Sequence, residues 1–281
     1  MSSSSSSTST STTTGDAAAA LEFLRLAGKL KGTVRTGWVY SGVGEAFSCK
    51  RVESVADHSW RMSVASLLYT GVPCSDDEAT RRHYDVAKMC QMAALHDIAE
   101  ALTGDIAPAD MVSKAEKARR EGEAMATISG ALAGWGDGGG AMGGAGTLEA
   151  LMAEYEARES PESIAVKDLD MLEMIVQADA YERMREEERG AEEESEGNAN
   201  KRRKTEAAGG GSGGGGGGTK EEATNAEPQQ PAPALDLSDF FRTTSGKFRT
   251  APAQAIAAEL VRQRDERRRR HGRRQPQPDD S

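Results

Sequence analysis

Three low-complexity stretches decide how much of this chain can enter a folded core. Residues 1–15 are nearly all Ser and Thr, residues 134–146 are mostly Gly and Ala, and residues 186–234 run from Glu-rich through Lys/Arg and poly-Gly to Pro/Gln. Such segments carry too little apolar surface to offset the entropy lost on ordering, so disorder is expected there. What is left of the 281 residues, about 17–133, 147–184 and 235–264, suffices for one compact core. The expected organisation is a Ser/Thr-rich N-terminus over 1–16, one domain over 17–264 interrupted at about 134–146 and 186–234, and a basic disordered tail over 265–281.

Within the foldable parts the apolar residues recur at helical spacing. Helices are expected over Ala17–Lys31, from about Trp60 to Tyr69, from about Asp76 to Leu102, and over Lys114–Leu132, Leu148–Ala157, Ser163–Arg185 and Ala253–Arg264. Gly32, the Gly71-Val72-Pro73 triplet and Gly104 supply stop signals. Thr33–Lys50 reads as irregular, and Trp60 reads as core. No segment alternates with period two and no hairpin turn signal occurs, so the class is all-α.

Charge and cysteine content narrow the setting. A formal net charge of −10 argues against binding a nucleic-acid polymer, which needs a basic face. The basic runs Lys201–Lys204 and Arg267–Arg270 read first as solvated tails, with nuclear import or a polyanion contact as the alternative. Cys49, Cys74 and Cys90 are odd in number and form no CxxC pair, which suits a reducing compartment. No apolar run is long enough to span a bilayer, and the N-terminus lacks the apolar stretch of a secretory signal. Cytoplasm, extending to the nucleus, is the expected location.

Chemistry concentrates around two of the four histidines. His58 follows Asp57, and His96 opens the run His96-Asp97-Ile98-Ala99-Glu100. On a helix Glu100 would lie one turn beyond both His96 and Asp97, while His96 and Asp97 would diverge by about 100° and meet a common ion only between their two directions. Asp170 is an acid set in an otherwise apolar helix, where an unpaired carboxylate is costly and a cation partner is expected. Two imidazoles and two carboxylates form a mixed N/O set suited to Mn²⁺, Fe²⁺, Co²⁺, Zn²⁺ or Mg²⁺. Core histidines with internal partners, and an Asp170 paired with Lys167, would account for the same residues without a metal.

The order of these residues resembles the HD-domain superfamily of metal-dependent phosphohydrolases: a His, then His-Asp, then a distant Asp. Further segments resemble its eukaryotic 5′-deoxynucleotidase branch, among them Arg35-Thr36-Gly37-Trp38-Val39, Glu53–His58, His96–Asp110, Val166–Met174 and Ser245–Phe248. The resemblance implies an α-helical bundle, often a homodimer, in which His58, His96, Asp97 and Asp170 bind one divalent ion. It further implies that Glu100 assists proton transfer or positions water, Arg35 holds a 5′-phosphate, Trp38 lies beside that arginine and Asp105 meets the sugar. The implied reaction is hydrolysis of a deoxyribonucleoside 5′-monophosphate to deoxynucleoside and phosphate. Hydrolysis of a cyclic, tri- or signalling nucleotide on the same metal, and a scaffold without turnover, are the competing readings.

Overall fold

The longest element is one helix, α9, over Pro161–Ala208, and the core is assembled against its first half. The structure, a computed structural model, describes residues 14–47, 52–75, 81–132, 144–208 and 235–272. Most of the expected Gly/Ala insert, the poly-Gly and Pro/Gln parts of the second insert, and residues 1–13 and 273–281 lie outside them. Ala165, Leu169, Leu172 and Ile175 form a buried stripe on α9 at the three-to-four-residue spacing of one helix face. Against it pack α4 (Val55–Ser66) and α5 (Val86–Leu95), which also pack on each other. Met62, Met89 and Met92 fill the shared interior.

The other helices close this frame. α1 (Thr14–Gly28) and α8 (Gly144–Ala157) pack on α7 (Lys114–Leu132), and α8 also meets α9. α10 (Ser238–Thr244) and α11 (Ala251–Gly272) return onto α9. Three short helices, α2 (Thr36–Tyr40), α3 (Val43–Ala46) and α6 (Glu100–Thr103), sit in the connections. The all-α expectation holds: among the described residues strand-type pairing is limited to the isolated bridges Val34–Ser54 and Pro73–His83. No described helix is long and apolar enough to cross a membrane.

Several boundaries differ from those read in the sequence. The long helix expected over 76–102 is instead α5, a turn at 96–99, and α6. It starts late because Asp85 caps it, accepting from Lys88 N–H at 3.0 Å. It breaks at His96–Ala99, where N–H groups bond carbonyls three residues back, Ile98 to Leu95 and Glu100 to Asp97, rather than four. Segment 33–47, expected to be irregular, contains α2 and α3.

Two further corrections concern segments read as disordered. α9 runs on to Ala208 and α11 to Gly272, because Glu, Lys, Arg and Ala favour helix and their charges pair along and between the two. Arg267, read as part of a solvated tail, lies 2.7 Å from Asp179 and 2.8 Å from Glu186 of α9. Trp60 is 68% exposed rather than core, since His58, Ser59 and Met62 take the inward face of α4.

Candidate metal centre

Three elements aim the expected ligands at one place. α4 carries His58, the tight turn after α5 carries His96 and Asp97, and α9 carries Asp170. Ligand atoms of His58, His96 and Asp97 all lie within 4.8 Å of one another. Asp97 Oδ2 stands 3.0 Å from His96 Nε2 and 3.9 Å from His58 Nε2, and Asp170 Oδ1 stands 3.3 Å from His58 Nε2. The three-residue bonding of the 96–99 turn replaces the regular α-helix from which divergence of His96 and Asp97 was expected.

Both imidazoles have their outer nitrogen committed. His96 Nδ1 lies 2.9 Å from the Ala93 carbonyl, which can only accept, so Nδ1 carries the hydrogen and Nε2 presents its lone pair inward. His58, fully buried, places Nδ1 2.5 Å from Glu173 Oε2. The Nε2 atoms of both rings are buried without a hydrogen-bond partner. Two orphaned imidazole nitrogens facing two carboxylates are what a divalent cation would satisfy, so the donor set fits a bound ion. Burial and the Arg35 charge push the His58 ring down, but the neighbouring Asp170 and Glu173 carboxylates outweigh them and raise it to about 10.

The carboxylates are held ionised. Burial pushes Asp97 up, but neighbouring His96 and the Arg35 guanidinium, 3.0 and 3.3 Å from its Oδ2, outweigh it and keep its carboxyl below the usual range. Burial likewise opposes Asp170, which His58 and Lys167 hold well below that range. Lys167 Nζ lies 2.6 Å from Asp170 Oδ2, and the Tyr155 hydroxyl donates to the same oxygen at 3.2 Å. The ion pair with Lys167 thus exists, and it leaves Oδ1 to face His58.

Glu100 and Arg35 border the same space. Glu100 is 6% exposed, and its Oε2 has no partner. Burial first, then the charges of Asp97 and Asp105, push its carboxyl up to about 9. Arg35 Nη1 lies 3.3 Å from Asp97 Oδ2; burial opposes its charge, but Asp97 and Asp170 raise it above its ordinary value. Asp105 Oδ2 accepts from Thr36 N–H at 2.7 Å and its carbonyl accepts from Thr36 Oγ1 at 2.6 Å, clamping the loop that carries Arg35.

Trp38 stands beside Arg35 as expected, its backbone N–H donating to the Arg35 carbonyl at 3.1 Å, but its indole is buried. Its side chain is 2% exposed, packed against Tyr181 and Phe240, with ring centroids 5.4 and 4.5 Å away. Its Nε1–H donates to Glu53 Oε2 at 2.7 Å. An indole turned into the core presents no face to a substrate, and its reach to Glu53 explains the inward turn.

The acids Glu53 and Glu173 were missed by sequence reasoning. Glu173 sits three residues after Asp170 in the same apolar run, so the argument that singled out Asp170 applied to it as well. That argument is not specific to metal sites. Asp168, also buried, is satisfied by Arg249 N–H, Thr250 N–H and Thr250 Oγ1 at 2.8, 2.6 and 2.7 Å. Ligand atoms of Glu53, His58 and Glu173 also lie within 4.8 Å of one another, but there Arg61 supplies the cation, 3.3 Å from each acid.

The chain is similar in sequence to known proteins. The HD domain family model matches residues 27–209. A zebrafish protein named 5′-deoxynucleotidase HDDC2 is 42% identical over 164 residues, 58% of this chain and 70% of that protein. Its human namesake is 41% identical over 166 residues, 59% of this chain and 70% of that protein. A fission-yeast protein named 5′-deoxynucleotidase hdd1 is 37% identical over 161 residues, 57% of this chain and 71% of that protein.

Proposed function

This chain belongs to the HD-domain family, and from that membership we propose that it is a divalent-metal-dependent 5′-deoxynucleotidase. The substrate class is the deoxyribonucleoside 5′-monophosphates, cleaved to deoxynucleoside and phosphate. The observation that carries the reading is the pair of buried, unpartnered Nε2 atoms of His58 and His96 beside Asp97 and Asp170, with a guanidinium at their edge. His58, His96, Asp97 and Asp170 would hold the ion, which when bound supplies a Lewis acid for a phosphoryl oxygen and lowers the pKa of water.

The chain's own groups supply the rest. Arg35 binds the phosphate, for which a permanently charged, forked donor is suited. Asp105 orients the loop on which Arg35 stands and keeps Oδ1 for the sugar hydroxyl. Glu100, whose proton is held more tightly by burial and by the neighbouring Asp97 and Asp105, is placed to pass that proton to the leaving 5′-oxygen. Trp38 serves Arg35 from behind, through Glu53. A single domain over 17–264, homodimeric assembly, and a cytoplasmic location extending to the nucleus complete the proposal. Light scattering tests the assembly and imaging of a tagged chain tests the location.

Phosphate release by metal-stripped protein, supplied in turn with Mn²⁺, Co²⁺, Mg²⁺ and Zn²⁺, tests the reaction. Deoxy-monophosphates should be cleaved in preference to AMP, to a dNTP and to a cyclic nucleotide. Asp97→Ala should lose both bound metal and activity, whereas Glu100→Ala should lose activity and keep the metal, as read by elemental mass spectrometry. Folded protein inert toward every substrate and metal would overturn the proposal in favour of a binding scaffold.

A further inference from the structure

Behind His58 lies a continuous polar chain, buried except at the part-exposed Arg61, that the reaction as described does not use. Glu173 is divided between two partners: Oε2 stands 2.5 Å from His58 Nδ1, and Oε1 stands 3.3 Å from Arg61 Nη1. Arg61 Nη2 reaches on to Glu53 Oε1 at 3.3 Å and is also bonded to Gln177 Oε1. Glu53 then connects to the Arg35 loop twice. Its Oε2 accepts from Trp38 Nε1 at 2.7 Å, and its backbone carbonyl accepts from Arg35 N–H at 3.0 Å. Tyr181 supports it from α9, accepting from Glu53 N–H at 2.8 Å.

A carboxylate facing an imidazole nitrogen determines which nitrogen bears hydrogen and fixes the plane of the ring. Glu173 offers only acceptor oxygens, so the neutral ring of His58 keeps its hydrogen on Nδ1 and points the Nε2 lone pair at Asp97 and Asp170. His96 gets the same service from a backbone carbonyl that no side-chain substitution removes; His58 depends on a side chain. Arg61 gives that buried carboxylate a cationic partner 3.3 Å away.

We propose that Glu173 is a positioning residue for the metal centre, locking His58 in the Nδ1–H form, and that Arg61, Glu53 and Trp38 tie this ligand to the loop carrying Arg35. The inference rests on the reading of His58 as a metal ligand given above. It makes the buried Trp38 meaningful: a residue three positions after the phosphate clamp is anchored to the same carboxylate pair that sets the metal ligand.

The test titrates Co²⁺ into the metal-stripped full-length protein, following its visible absorption. It also records the His58 Nδ1–H resonance in the Zn²⁺-loaded protein, where four histidines in all keep assignment simple. Glu173→Gln keeps the shape and removes the charge. It should weaken Co²⁺ binding about 10- to 100-fold, alter the Co²⁺ spectrum, and move the Nδ1–H resonance away from its carboxylate-bonded position. Arg61→Met leaves Glu173 in place and should produce the same changes at smaller size, which keeps the idea testable if Glu173→Gln does not fold. A Glu173→Gln or Arg61→Met protein with wild-type Co²⁺ affinity and an unmoved resonance overturns the inference, even where Asp97→Ala abolishes binding. Absence of Co²⁺ binding by the wild-type protein overturns both this inference and the metal-centre reading beneath it.

Discussion

Replacing Glu100 with Gln should make the metal-free protein more stable and the loaded enzyme inactive, and the size of the first effect follows from the site. Glu100 is buried beside Asp97 and Asp105, with its carboxyl raised to about 9. An unfolded glutamate titrates near 4.3. Between those values the folded chain binds a proton that the unfolded chain has released, so its stability falls as pH rises through that window. At about pH 7.5 the difference spans roughly three pH units at 1.36 kcal/mol each, or about 4 kcal/mol. Gln is neutral in both states and escapes this cost. Glu100→Gln should therefore exceed wild type by about 4 kcal/mol at about pH 7.5 and by only about 1 kcal/mol at about pH 5. Urea unfolding of chelator-treated proteins at several pH values measures the gap. In the metal-loaded enzyme the same change removes the proton donor and should lower kcat about 10²- to 10⁴-fold. A gap that does not widen between acid and neutral pH would refute the placement of a protonated, buried Glu100.

Two further outcomes check the packing around the site. Trp38→Phe deletes the donor to buried Glu53 and should cost about 1–3 kcal/mol; a double-mutant cycle with Glu53→Gln should recover part of it, and a cost below about 0.5 kcal/mol would show that the Trp38–Glu53 bond contributes little. Arg264→Ala removes the partner of Glu182, which it holds at 2.7 Å in a buried pair, and should cost about 3–5 kcal/mol in chemical denaturation. Arg262→Ala on the exposed side of the same helix should leave stability close to wild type, because its pairs with Glu259 and Glu266 are solvated.

The primary structure by itself determined the helical class and the four ligand candidates. Apolar residues at helical spacing leave no other way to bury them, and histidines and acids set in such runs need partners of matching chemistry. The order of His58, His96, Asp97 and Asp170 was thus legible before any fold. The ends of α9 and α11 were not. Glu- and Arg-rich segments read as solvated tails until Arg267 meets Asp179 and Glu186 across two helices, a pairing between residues some eighty positions apart. Trp38 is buried and Trp60 exposed, the reverse of expectation, because helix phase and a buried partner such as Glu53 depend on what packs alongside. The turn at 96–99 that converges His96 and Asp97 follows from hydrogen bonding that residue types do not specify. Glu173 gains its place at His58 only when α9 is laid against α4: contacts between distant segments are what tertiary structure alone decides.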